Sequence, residues 1–268
     1  NEASDGQLHK KAELKDLINI DFGPIHPLTG PVYVEEAEVG DILAVDLIDI
    51  ELHDYGWQAI VGGFGFLTDR FPEPKLNIHE IDTINKTTMF NGKITIPLKP
   101  FPGVMGVAPD TEEMLSTIPP RANGGNMDDP SIVEGTTVYF PVFVKGALFS
   151  IGDAHAVQGF GEVCGTAIET PMTFVYRLRV LKNKPAIQEP QYETDDFYAV
   201  TGFGETIDIA TKKAVNFMVD HLSENYDISA EDAYMLCSLV GDLKIAEVVD
   251  VPNMLVTMHF PKSILDQL

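Results

Sequence analysis

The chain has 268 residues, 44% hydrophobic and 22% charged, enough for a substantial core in one large domain or one domain with an appended lobe. Its 41 acidic against 18 basic side chains leave a formal charge of −23, which repels nucleic-acid backbones and anionic membrane surfaces. With no apolar run of about eighteen residues to cross a bilayer, the expectation is a soluble globular protein with no nucleic-acid or membrane partner.

The start, NEASDGQLHKKAELKD, is polar, lacks a hydrophobic signal segment and reads as beginning inside a longer gene product. From Pro31 to Ile50 apolar and polar residues alternate at period two, and Val39-Gly40 divides the run into two strands. The stretch from Gly62 to Asn126 is rich in glycine and proline, with strand-like pieces such as Lys93 to Leu98, and reads as long loops decorating a sheet. Val138, Phe140, Val142 and Val144 share one face. Lys145-Gly146 then supplies a turn before Ala147 to Ile151, which predicts a hairpin.

Met172, Phe174, Tyr176, Leu178 and Val180 alternate with Thr173, Arg177 and Arg179, which predicts a half-buried strand. The polar segment from Lys182 to Asp196 holds two prolines, and beyond it the period changes to 3.6, so a lobe boundary is expected near Gln188. Ile207, Ala210, Ala214, Phe217, Met218 and His221 form a helical stripe. Ser229 and Asp232 then cap a second helix over Ala233, Leu236, Cys237 and Val240. Leu243 to Val249 and Met254 to Phe260 read as a closing strand pair. The expected class is mainly β, a β-sandwich core over residues 1–187 with a smaller α+β part over 188–268.

The densest polar run within an apolar stretch is GDAHAVQGFGE, residues 152–162. In an extended chain Asp153 and His155 point to one side, and Gly159 and Gly161 allow a sharp turn that returns Glu162 toward them. Such a set can hold a divalent ion whose bound water attacks an amide carbon, with Glu162 as general base. The plainer alternative has Asp153 capping a turn, His155 satisfied in the core and Glu162 solvated. In RANGGNMDD, residues 121–129, Gly125 and its neighbour offer backbone N–H groups to a substrate carbonyl, Asn126 adds an amide and Asp128 a metal-binding carboxylate. A glycine-rich surface turn is the alternative there.

Cys164 follows Glu162 by two positions, which opens a covalent route as a rival mechanism, although a cysteine in EVCGTAIE also suits a small buried residue. His79 and His26 stand isolated and read as packing or loop residues, and Cys237 as core. Two distant cysteines without a Cys-x-x-Cys argue for a reducing, cytoplasmic compartment.

The blocks HPLTGPVYVEEAEVGDIL, PFPGVMGVAPD, NGGNMD, GALFSIGDAHAVQGFGEVCGTAIE and AYMLCSLVGDLKIAEVVDVPN resemble, in order and over nearly the whole chain, the acetamidase/formamidase family. The resemblance implies a β-rich sandwich, assembly as a homodimer or larger oligomer, and release of ammonia from short aliphatic amides such as formamide and acetamide. It also implies a divalent metal, zinc or calcium, at Asp128, Asp153 and His155. Gln158 and Glu162 match the rest of the loop, Asn126 falls on a substrate contact, and Gln7 lies in a matching piece near the pocket. Phe160 departs from the family loop QGDGE, where an acid stands, and is expected to weaken an ion site. SDGQL resembles a segment that family members reach after several N-terminal strands. These departures define the alternative of a catalytically impaired relative that binds a small ligand or ion.

Overall fold

The computed structural model describes residues 2–268. A short helix α1 (Leu14–Ile18) precedes β1 (Leu28–Val32) and β2 (Ile42–Leu52). A four-strand meander follows as β3 (Tyr55–Ile60), β4 (Lys75–Asp82), β5 (Thr87–Phe90) and β6 (Ile94–Pro97). Next come β7 (Phe101–Gly106), β8 (Gly124–Asn126), β9 (Thr137–Pro141), β10 (Phe149–His155) and β11 (Met172–Leu181). The remainder is β12 (Gln191–Glu193), β13 (Phe197–Gly204), α2 (Ile207–Asn225), α3 (Ala230–Val240), β14 (Asp242–Glu247), β15 (Met254–Pro261) and α4 (Lys262–Leu265).

The protein is mainly antiparallel β. One sheet runs β1-β10-β7-β8, a second β11-β2-β9-β12-β13-β15-β14, and the meander forms the third. The first two face each other. Leu43, Val45, Leu47, Val138 and Phe140 of the larger sheet pack with Met105, Phe149 and Ile151 of the smaller in one core, the two-layer arrangement expected of a sandwich. Strands on both sides of Gln188 join the seven-stranded sheet. There β2 and β11 are paired over ten registered positions, from Met172 opposite Leu52 to Leu181 opposite Ile42.

The two long helices obey their sequence signals. Thr206 Oγ1 accepts from Ile209 N and Ser229 Oγ from Asp232 N, each satisfying an otherwise orphaned N–H at a helix start. Ala210, Ala214, Met218, Leu222, Ala233 and Cys237 then bury a stripe against Val200, Val256, Met258 and Phe260 of β13 and β15.

Three expectations need correction. Residues 137–151 do not form a hairpin, because β9 and β10 belong to different sheets. The Lys145-Gly146 turn is captured by the segment before β2, where Val34 N donates to Gly146 O and Gly146 N to Ala37 O. Ala147 and Leu148 then take φ of 56° and 58°, redirecting the chain across the core. The strand expected at the start of the Pro31–Ile50 run is confined to Leu28–Val32 for the same reason, since residues 33–41 make turns against residues 142–146. Residues 62–126 hold five strands from β4 to β8 in addition to loops; the strand-like piece read at Lys93 to Leu98 is β6, whereas β5, in which Thr88 alone is buried, carried no apolar alternation.

Candidate active site

Strand β10 brings Asp153 and His155 to the end of the smaller sheet, alongside β7, where His155 is registered with Phe101. The Phe101 ring meets the imidazole edge-on at 5.1 Å between centroids. Between them β7 carries Gly103, and a Cβ built there would stand 2.4 Å from Asp128 Oδ1, 2.8 Å from Asp153 Oδ2 and 2.8 Å from His155 Cε1. A residue without a side chain is therefore the floor on which these groups converge. Asp128 arrives just after β8, and Glu162 and Glu169 from the loop that joins β10 to β11. Asp128, Asp153 and Glu162 have φ of 41°, 48° and 46°, backbone that L-residues rarely adopt and that the surrounding contacts must hold.

All of these side chains are buried. Asp128, His155 and Glu162 offer ligand atoms within 4.8 Å of one another, and so do Asp153, His155 and Glu169. His155 is common to both groups. Its Nδ1 lies 2.9 Å from Gln158 Oε1, and Gln158 Nε2 donates to Asp128 O at 2.6 Å and to Ala246 O at 3.3 Å. Gln158 thus presents its oxygen to the ring, so Nδ1 carries the proton and Nε2 of the neutral ring is bare. Around Nε2 stand Glu169 Oε2 at 3.1 Å and Asp153 Oδ2 at 3.4 Å, while Asp128 Oδ1 is 3.5 Å from Nδ1. At such distances a proton or a shared cation must lie between the ring nitrogens and the carboxylate oxygens.

The charge balance leads to the same requirement. Among the described residues no Lys or Arg pairs with these carboxylates; the second nearby imidazole is His26, whose Nε2 is 3.8 Å from Asp153 Oδ2. Burial, reinforced by Asp128, pushes the Glu162 carboxyl well above its ordinary range, and burial raises Glu169 to about 8. Burial also raises Asp128 and, with Asp128 beside it, Asp250. Asp153 moves the other way: burial opposes ionisation, but His26 and His155 hold it below the usual carboxylate range. His155 is raised against its burial by Glu169 and Asp153. Asp128 Oδ1, Asp153 Oδ1, Glu169 Oε2 and Asn126 Oδ1 have no hydrogen-bond partner.

A cavity of about 210 Å³ opens onto this cluster and is lined by Asn126, Asp128, Asp153, His155, Glu162, Glu169, His26 and Asp250 on its polar side. Asn126 Nδ2 donates to Asp250 Oδ2 at 2.8 Å, and its buried Oδ1 has no partner. Gln158 stands behind His155 rather than in the lining, and Gly125 packs against β7 outside it. Gln7 is also outside: its Nε2 donates to Ser4 O and Asp21 O and its Oε1 accepts from Asp21 N, so it pins the N-terminal segment. Cys164 Sγ is directed to Thr166 O at 3.4 Å and is absent from the lining. Phe160 is 47% exposed with Lys244 Nζ over its ring, and it too is absent from the lining.

His26, which reads as a loop residue in isolation, is a wall of the cavity, because Thr117 Oγ1 accepts from its backbone N–H and holds it there. Glu169 and Asp250 gave no local signal. Glu169 is fixed by reciprocal backbone bonds with Trp57 of β3 and by Ala167 N donating to its Oε1. Asp250 N donates to the buried Glu247 at the end of β14.

These features describe a mainly antiparallel β protein with a buried carboxylate–imidazole cluster at the floor of a cavity. The Acetamidase/Formamidase family model matches residues 1–117 and 111–267, and the chain belongs to that family. A predicted acetamidase/formamidase from Thermoanaerobacter tengcongensis superposes with a TM-score of 0.91 at 33% identity, over 99% of this chain and 85% of its own. An acetamidase from Bacillus halodurans gives 0.89 at 32% identity, over 94% and 84%. A formamidase from Methylophilus methylotrophus is 26% identical over 336 aligned residues, covering 97% of this chain and 82% of its own length.

Proposed function

We propose that this chain hydrolyses the C–N bond of simple amides, with a divalent cation at the His155 cluster and Glu162 as the proton-moving group. Amide hydrolysis is the activity named for its formamidase and acetamidase relatives. The observation that carries the reading is His155 Nε2 set between the carboxylates of Asp153 and Glu169, at 3.4 and 3.1 Å. Unpartnered oxygens on Asp128 and Asp153, and the space kept by Gly103, fit a cation held by Asp153, His155 and Glu169 or by Asp128, His155 and Glu162. An imidazole in both sets favours zinc over calcium, which prefers oxygen ligands throughout. When bound, such an ion makes a water acidic enough to act as nucleophile near neutral pH and offsets the carboxylate charge.

The protein's own groups account for the remaining work. Asn126 Oδ1 accepts an N–H of the substrate amide and so orients its carbonyl carbon toward the cluster. Glu162 takes a proton from the attacking water, the water oxygen bonds to the carbonyl carbon, and Glu162 returns the proton to nitrogen as the C–N bond breaks. Ammonia and a carboxylic acid leave. The position of Cys164, outside the cavity lining, supports the water route over the covalent one. Phe160 is absent from the lining of the cavity, which supports an active enzyme over an impaired relative. Assembly as a homodimer or larger oligomer and cytoplasmic residence belong to the same reading, the latter supported by two unpaired cysteines. Among the described residues no helix is long and apolar enough to cross a membrane.

Replacing the proton carrier tests this directly. Glu162→Gln is expected to lower ammonia release by about 100-fold or more with the fold intact, whereas Cys164→Ala remains active. Full turnover by Glu162→Gln contradicts the assignment.

A further inference from the structure

The same cavity is divided into a polar floor and an apolar mouth. Beyond Asn126 and the acidic cluster its lining changes to Ile20, Phe22, Ile25, Val61, Phe64 and Ile118, with no charged group among them. These residues come from separate stretches of chain: the segment after α1, the turn after β3 and the loop before β8. They are backed by packed structure. Ile20 and Val61 lie against the cluster of Leu8, Leu17 and the Trp57 ring, and Leu17 and Trp57 are each only 4% exposed. Phe64 is set by Gly165, where a Cβ would stand 2.5 Å from Phe64 Cδ1, so the ring sits in space that no other residue at 165 leaves open.

Volume and chemistry then disagree with a very small substrate. On the measure by which a single water needs about 10–15 Å³, the cavity offers about 210 Å³. Formamide and acetamide occupy the polar floor and bring little or no apolar surface to the mouth. Resting on the amidase reading, we infer that the preferred substrate is a primary amide with an apolar acyl group of hexanoyl size. Its carboxamide lies at Asn126 and the His155 cluster, and its hydrocarbon lies against Ile20, Val61, Phe64 and Ile118. Each methylene buried there is worth about four-fold in affinity when fully covered. Because the mouth is open at Phe22, 56% exposed, the expected gain over acetamide is at least about ten-fold.

Trp57 makes the test independent of turnover, because it is the sole tryptophan of the chain and it lines the cavity. Acetamide, butanamide and hexanamide are titrated into the metal-loaded full chain while Trp57 fluorescence and ammonia are followed. The inference predicts that apparent Kd falls and kcat/KM rises along the series, by at least about ten-fold from acetamide to hexanamide. Phe64→Ala is expected to remove most of that gain, bringing kcat/KM for hexanamide to within about three-fold of that for acetamide; Ile118→Ala serves if Phe64→Ala does not fold by circular dichroism. Hexanamide that binds no tighter and turns over no faster than acetamide overturns the inference and leaves the amidase reading standing. Tighter binding of hexanamide without ammonia from any amide does the reverse: it supports the apolar site and overturns the amidase reading.

Discussion

Glu169 Oε2 stands 3.1 Å from Nε2 of His155, the ring nitrogen on the side away from Gln158. Glu169 therefore belongs with Asp153 as a partner of that nitrogen. Backbone bonds to Trp57 at 2.8 Å in both directions hold it in place. Glu169→Gln keeps the shape and removes the charge. It is expected to lower metal affinity and kcat/KM by about 10- to 100-fold, with little change in Tm. Metal analysis after dialysis and steady-state kinetics check this, and unchanged metal content would remove Glu169 from the site.

Gly103 provides a steric test that introduces no polar group. Its backbone is ordinary for an L-residue, yet an added methyl meets Asp128, Asp153 and His155 at once. Gly103→Ala is expected to fold and to lose at least about 100-fold in activity, because displacement of catalytic groups by an ångström costs that much. Activity near wild type would show that the cluster does not converge on that floor.

Trp57 Nε1 donates to Glu2 Oε2 at 2.8 Å, and Glu2 also accepts from Ser4 N, Ser4 Oγ and Gly6 N. The carboxylate is fully buried. Trp57→Phe withdraws a donor from a buried acceptor and opens space beside Leu8 and Leu17. A loss of about 1–3 kcal/mol in denaturant unfolding is expected, and a loss below about 0.5 kcal/mol contradicts the claim that this bond anchors the N-terminal segment.

Two histidines, His259 buried and His221 half-buried, set an acid limit on stability. Burial lowers His259 from 6.5 to about 3 and His221 to about 4. The unfolded chain takes up protons at these positions near pH 6.5 and the folded chain does not. Their contribution is therefore complete above pH 6.5 and is lost as pH falls toward 3 to 4. His259 stacks on Phe197 at 4.3 Å and its Nε2 bonds Tyr192 Oη, so His259→Phe keeps a ring in place at a cost of about 1 kcal/mol. The variant's stability is expected to fall less steeply than wild type between pH 6.5 and 4 in urea titrations. Parallel slopes would refute the assignment.

Much of the fold was legible because its signals are local. The alternation from Met172 to Val180, the Thr206 and Ser229 caps and the stripe from Ala210 to Met218 each depend on neighbours in sequence. The turn at Lys145-Gly146 was visible, but its capture by Val34 and Ala37 was not, and that capture decides which sheet β10 joins. The site divides in the same way. Asp153, His155 and Glu162 share one polar run and Asp128 a glycine-rich one, so they stood out. Glu169 closes the apolar stretch EVCGTAIE, Asp250 sits in a valine-rich turn and His26 lies between prolines and glycines. Long-range contacts bring these together: Glu169 bridges Trp57 of β3 and His155 of β10, Asp250 is held by Glu247 and His26 by Thr117. Gln7 and Gly125 illustrate the converse, since proximity in a matching segment did not place them in the cavity lining.

The most direct test of the central claim is ammonia release from formamide, acetamide and hexanamide by the purified chain before chelation, after chelation, and after zinc or calcium is added back. The account predicts release that chelation abolishes and zinc restores, in parallel with binding of the ion. Release that is indifferent to chelation, from protein shown by metal analysis to be free of the ion, would contradict a cation at the His155 cluster.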